Sequence, residues 1–159
     1  MKIRRFQPVD REEVWRLHHV ALEGAGAHAG NGPWDEDLHD IAKHYLDSGG
    51  EFLVGIIDDE IVAMGALKPH PDRAGEIKRM RVHPKYQRRG LGQAILDALH
   101  ARAGRLDLRK LILDTTATQK AAQAFYVKNG YSKVREEFDG GFTVIHYERV
   151  FDRDLEFVV

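Results

Sequence analysis

Glu76-Ile77-Lys78-Arg79-Met80-Arg81-Val82-His83-Pro84-Lys85-Tyr86-Gln87-Arg88-Arg89-Gly90-Leu91-Gly92 joins a β-rich run, a proline exit, a basic loop and a helix start. Glu76 to Val82 reads as a strand, and Pro84 marks its exit into a loop. Leu91, Ile95, Ala98 and Leu99 form one apolar stripe of a helix running to about Arg105. Leu111 to Leu113 follows as a short buried strand, so Glu76 to Leu113 is expected to be one β-α-β unit with a parallel strand pair.

Working outward, Lys2 to Gln7 reads as a first strand, with Asp10 as N-cap of a helix carrying Val14, Leu17 and Ala21 at helical spacing. The glycine-rich run Gly24 to Pro33 ends that helix and reads as a loop inside one domain, and a second short helix is expected over about Asp35 to Asp47. Glu51 to Ile57 and Ile61 to Leu67 form a hairpin around Asp58-Asp59-Glu60, closed by Lys68-Pro69-His70-Pro71. Downstream, a helix over about Thr118 to Lys128 stops at Asn129-Gly130, and strands near Tyr131 to Phe138 and Phe142 to Val150 turn at Asp139-Gly140-Gly141. The order of elements predicts a mixed α/β (α+β) fold: helices on a mostly antiparallel sheet with the parallel pair in its middle.

The chain of 159 residues is expected to be a single domain, 1–159, with 43% hydrophobic and 31% charged residues, as in ordinary globular proteins. It has no cysteine, which removes disulfides, thiolate metal sites and a cysteine nucleophile and points by default to a cytoplasmic location. No apolar run follows Met1 to Pro8, so neither a signal peptide nor a membrane span is expected. Net charge is −1, with no whole-molecule pull toward nucleic acid or a membrane. Locally, however, six Lys or Arg and no acid lie between Lys78 and Arg89.

Glycines between a strand and a helix let backbone amides approach a ligand, and the helix N-terminus adds free N–H groups and a positive dipole end. Gln87-Arg88-Arg89-Gly90-Leu91-Gly92 therefore suits a pyrophosphate, with Lys85, Arg88 and Arg89 able to screen a further phosphate. By itself a Gly-x-Gly after a basic loop is as often a plain helix start. A dinucleotide turn would need three glycines and a P-loop a Gly-Lys-Ser/Thr ending, and neither is present. The nine histidines fit no metal-ligand spacing, so no metal is expected. Only Ser48 and Ser132 are available as serines, without a nucleophile-elbow motif.

The whole run resembles the GNAT superfamily of N-acetyltransferases. Gln87, Gly90 and Gly92 fit the family's loop pattern without a gap. Tyr126, Gly130 and Tyr131 match its last helix, with Gln119 where Asn is common and Tyr131 where Phe is common. The resemblance implies a seven-stranded GNAT sheet with about four flanking helices, acetyl-CoA as donor and an amine as acceptor. It implies that the backbone of Met80, Arg81 and Val82 pairs with the pantetheine arm, and that Gln87, Arg88, Arg89, Gly90, Leu91, Gly92 and Gln93 wrap the pyrophosphate. It makes the Met80 amide the oxyanion donor, and sets Gln119 and Tyr126 on one helix face beside the donor.

An alkylammonium with pKa near 10.4 costs about 4 kcal/mol to deprotonate at neutral pH, so a base is expected. Glu76 is the candidate, at the distance from the phosphate loop found for the catalytic glutamate of the histone-modifying branch; the alternative is a strand-end carboxylate paired with Lys78 or Arg73. The leaving thiolate needs a proton, and Tyr126 is the candidate acid; the alternative is a packing aromatic. Lys78, Arg79 and Arg81 are unusual in a central strand, and either orient an acidic acceptor or pair with acids on neighbouring strands. The acceptor is expected to be read by the Gly24 to Asp37 loop, with Trp34, and by Asp139-Gly140-Gly141. Two copies could pair through the last strands or the Phe151 to Val159 tail. A non-catalytic acyl-CoA-binding regulatory module, and less strongly a nucleic-acid binder, stay open as other functions.

Overall fold

A computed structural model describes residues 1–24 and 35–151. Its seven strands form one sheet, ordered β1 (Lys2–Arg5), β2 (Glu51–Ile57), β3 (Glu60–His70), β4 (Ala74–Val82), β5 (Lys110–Thr116), β7 (Phe142–Val150) and β6 (Ser132–Asp139). Every neighbouring pair is antiparallel except β4 with β5. Helices α1 (Arg11–Gly24), α2 (Glu36–His39), α3 (Leu91–Arg105) and α4 (Lys120–Lys128) complete the expected order.

Two apolar clusters hold the layers together. On one side Ile95, Leu96 and Leu99 of α3 meet Leu67, Ile77 and Leu111 of the sheet, with Tyr126 of α4 and Tyr147 of β7 in the same cluster. On the other, Val14 and Leu17 of α1 pack with Tyr45, Phe52, Val54 and Met64. The strands between them are buried on both faces, which explains their near-continuous apolar sequence.

Several boundaries differ from expectation for local reasons. Asp10 does not cap α1 as a lone N-cap: it belongs to a 3-10 turn (Pro8–Asp10) running straight into α1, accepts from the Gln7 amide at 2.8 Å, and pairs bidentately with Arg4. The second helix is broken after α2 by Asp40 (φ −145°), whose carboxylate caps the Lys43 amide before a π-helical turn over Ala42–Leu46. Lys68-Pro69-His70 extends β3 instead of ending it. Pro69 fits there because β2 pairs only as far as Leu67 and the proline ring lies against Gly50, on the side where no ladder partner remains.

No helix among the described residues is long and apolar enough to cross a membrane. The expected tail contact lies, beyond Phe151, outside the described residues, as do Ala25 to Trp34.

Candidate active site

The site forms where the sheet comes apart. β4 and β5 pair over three residues only, from Ala74 with Lys110 to Glu76 with Ile112. Beyond that point β4 stays with β3 and β5 stays with β7, so Ile77 to Val82 and Leu113 to Thr116 leave each other without a shared ladder. An extended ligand can hydrogen-bond into such a parting as an added strand.

A bulge lies at its inner edge. Met64 pairs with Arg81 and Ala66 with Lys78, so Arg79 and Met80 oppose the single residue Gly65. A Cβ on Gly65 would come within 2.5 Å of the Met80 sulfur and 2.6 Å of Ile95, so glycine is what lets the bulged chain sit on α3. Arg79 takes a left-handed conformation (φ 59°), uncommon for a residue with a side chain. Its guanidinium is anchored by Asp37, with Nε 2.9 Å from the carboxylate, and by Asp35 at 3.3 Å; Asp37 also accepts from the Tyr45 hydroxyl. The expected partners on neighbouring strands are thus replaced by acids at α2, and the bulge is tied to the segment entering α2.

At the outer end, His83 ends β4, a 3-10 turn over Pro84–Tyr86 follows, and Gly90 is the residue before α3. Gly90 is left-handed (φ 77°), with nothing within 4 Å of where a Cβ would stand. No side chain caps α3, which leaves the Leu91, Gly92 and Gln93 amides without intrahelical acceptors. Arg88 and Arg89 are exposed, Arg89 lying 5.3 Å over the Tyr86 ring, and Gln87 bonds back to the Val82 carbonyl at 3.4 Å. The Gln93 side chain is committed elsewhere: it bonds Asn129 and Asp97 and clasps α3 to the end of α4. Gln119 likewise bonds back to Thr116 at 3.1 Å. Any ligand role of Gln93 therefore falls to its backbone.

Tyr126 is buried in the α3 cluster, and burial pushes its hydroxyl up to about 12, while the Arg81 charge acts the other way. At neutral pH it is protonated, and among the described residues no hydrogen bond holds the hydroxyl.

Glu76 does not begin β4, which starts two residues earlier, and it pairs with neither Lys78 nor Arg73. Its carboxylate bonds His70 Nε2 at 2.9 Å, while Arg73 pairs with Asp107. Glu76 opens on a cleft of about 260 Å³ also lined by Ile112, Asp114, Arg135, His146 and Glu148. His70, Asp114, His146 and Glu148 were not singled out from sequence. The alternation in Leu111-Ile112-Leu113-Asp114 is the one signal that sets Asp114 beside Ile112 on that face. Among the described residues no three His, Asp or Glu are arranged to hold a metal.

On the α1 side, His18 is fully buried with Nε2 2.9 Å from Asp35. Burial first, then the Arg81 and Arg79 charges, hold it below its ordinary pKa; burial and Arg149 lower His100 to about 4. Unfolding lets both take up protons near pH 6.5 that the folded chain refuses. Stability should therefore fall below about pH 6.5, by at most about 1.4 kcal/mol per pH unit for each histidine. Thermal melts across that window would show Tm dropping, and a flat Tm down to about pH 4 would contradict this.

Residues 12–131 match the acetyltransferase (GNAT) family. Human N-acetyltransferase 8 is 28% identical over 120 residues, covering 67% of this chain and 53% of that protein. The chain spans about half the length of the curated relatives it matches first. A Staphylococcus aureus acetyltransferase of the GNAT family superimposes with TM-score 0.86 at 22% identity, covering 94% of this chain and 98% of that one. The PaiA N-acetyltransferase of Thermoplasma acidophilum, solved in complex with coenzyme A, gives TM-score 0.78 at 17% identity, covering 94% and 98%.

Proposed function

Because the chain belongs to the acetyltransferase (GNAT) family, we propose that it transfers an acetyl group directly from acetyl-CoA to a primary amine. The observation that carries this reading is the parting of β4 from β5, with the Met80 bulge and the buried Tyr126 hydroxyl beside it and the uncapped N-terminus of α3 at its outer end.

The residues fit the donor. The Leu91, Gly92 and Gln93 amides, with the open approach over Gly90, suit a pyrophosphate, and exposed Lys85, Arg88 and Arg89 add positive charge. Met80, Arg81 and Val82 offer backbone to an extended arm. Acetyl-CoA supplies the activated acetyl group. In this reading the Met80 amide stabilises negative charge developing on the thioester oxygen. Glu76, on the cleft at the last paired register, takes a proton from the incoming ammonium, directly or through water. The amine nitrogen bonds the acetyl carbon as the C–S bond breaks, and Tyr126 gives a proton to the departing sulfur and is reprotonated by the second proton that the nitrogen sheds. The cleft lined by Asp114, His146 and Glu148 receives the amine, and Asp35 to Asp37 together with the Asp139-Gly140-Gly141 turn shape its approach. The reading takes the reaction as cytoplasmic, with neither nucleic acid nor membrane as partner, on the strength of the near-neutral charge and the absence of cysteine. Self-association through β6 and β7 would not alter it.

Thiol release from acetyl-CoA, followed while pools of small amines, peptides and proteins are added, tests the proposal. Release that depends on the amine supports it; release no faster than in buffer, with coenzyme A still bound, points to a binding module instead. Gly90→Val puts a β-branched residue at positive φ and a side chain over the anion site. It should weaken coenzyme A binding by at least about tenfold, since a left-handed β-branched residue costs more than about 1–2 kcal/mol. Calorimetric titration measures this, and unchanged affinity would remove the loop from the donor site.

A further inference from the structure

The fold treats the charges on β4 unequally. Arg79 is met by Asp37 and Asp35. Arg81, two residues on, is not: its Nη1 bonds only the carbonyl of neighbouring Met80 at 2.8 Å, and its Nε is out of water with no partner. Among the described residues no carboxylate stands at ion-pair distance from Arg81. Burial and the charge of Arg79 lower it only to about 10, so it is a cation at neutral pH.

Its direction follows from the pleat. Met80 and Val82 pack on the α3 side, so Arg81 between them turns to the α1 side. Its field is felt both at His18 on α1 and at the Tyr126 hydroxyl, which sets it between helix and reaction centre. His18 Nδ1, also buried, has no hydrogen-bond partner either. The exposed cations suited to the donor's phosphates, Lys85, Arg88 and Arg89, come after Arg81 in the chain, beyond Pro84 and outside β4. Asp35 and Asp37 act on Arg81 only from beyond ion-pair distance; a buried guanidinium with no carboxylate in contact is costly to keep, and a ligand carrying one would complete it.

Resting on the acetyl-transfer reading, we propose that Arg81 determines acceptor specificity: the amine carries a carboxylate, as an amino acid does, and the Arg81 guanidinium binds that carboxylate on the α1 side of the parted strands. Glu76, Asp114 and Glu148, in a cleft that Lys110, Arg135 and His146 also line, then face the ammonium, and the cation at Arg81 faces the carboxylate. Arg81 binds and orients; it exchanges no proton.

The test uses a panel of amino acids, each paired with its carboxamide, plus putrescine and spermidine as cations without a carboxylate. Two quantities are read: kcat/KM for acetyl transfer, and the calorimetric Kd of each compound for protein saturated with coenzyme A, which requires no turnover. The free acids should be favoured over the amides by roughly 10- to 100-fold, the worth of a hydrogen bond to a charged group, and Arg81→Gln should erase that ratio. Arg81→Met removes a buried cation that no carboxylate contacts and should raise Tm. Equal treatment of acids and amides, or a preference that survives Arg81→Gln, overturns the proposal. So does a lowered Tm in Arg81→Met with the ratio intact, which assigns Arg81 to the fold, or a loss confined to coenzyme A affinity, which assigns it to the donor. If nothing is acetylated yet the free acids bind and Arg81→Gln abolishes that binding, the carboxylate site stands and the acetyl-transfer reading falls. If polyamines are acetylated as fast as amino acids, the reverse holds.

Discussion

Tyr126→Phe is expected to lower turnover by about 100-fold or more while leaving coenzyme A affinity within about twofold, because the hydroxyl is the only atom removed and general-acid transfer contributes roughly 10²–10⁴-fold. The ring itself is packed among the α3 and α4 side chains, with Phe125 and Tyr131 ring centroids at 5.2 and 5.8 Å, and phenylalanine fills the same space. The fold should therefore survive. Burial holds the hydroxyl protonated up to about 12, so the wild-type acid is available at any pH where the amine can be deprotonated. Steady-state rates with both substrates varied, beside a titration of coenzyme A, separate the two effects. Unchanged turnover would return Tyr126 to a packing role.

The largest effect on stability is expected at Arg79. Arg79→Met would leave Asp37 and Asp35, both withdrawn from water, without the cation that neutralises them. Removing one partner of a buried ion pair costs about 3–5 kcal/mol, which for a chain of this size lowers Tm by roughly 10 °C. Asp37→Asn should cost less, since Tyr45 and Arg79 still find an oxygen there. Denaturant unfolding of both variants checks the order, and an Arg79→Met protein as stable as the wild type would show that the pair is dispensable.

Much of the architecture was readable from sequence because it rests on short-range chemistry. Pro84, Gly90 and the Leu91–Ile95–Leu99 stripe fix where β4 ends and α3 begins whatever else the chain does. The limits of β2 and the start of β7 were legible for the same reason: Gly49-Gly50 and Asp58-Asp59 bound β2, and Gly140-Gly141 precedes β7. The misread places depend on distant partners. Pro69 lies inside β3 because β2 stops pairing at Leu67, which no local pattern records. Asp10 serves Gln7 and Arg4 in place of a lone helix cap because β1 brings Arg4 alongside.

The candidate site divides in the same way. The backbone roles proposed for Met80 and Gly90 come from the family resemblance of the local motif, whereas the partners of Glu76 and Arg79 are not legible in it. His70 reaches Glu76 through the β3–β4 register, and Asp35 and Asp37 reach Arg79 across the α2 side of the sheet. The three cations of β4 look alike as sequence. Packing alone separates Arg79, which two carboxylates contact, from Arg81, which none does.

Direct transfer is tested most sharply by a single turnover. Protein preloaded with acetyl-labelled acetyl-CoA, mixed rapidly with an accepted amine and quenched, should place the label on the amine within the first turnover and leave none on the protein. Label retained on coenzyme A at every time, or trapped on a protein side chain before reaching the amine, would contradict the account.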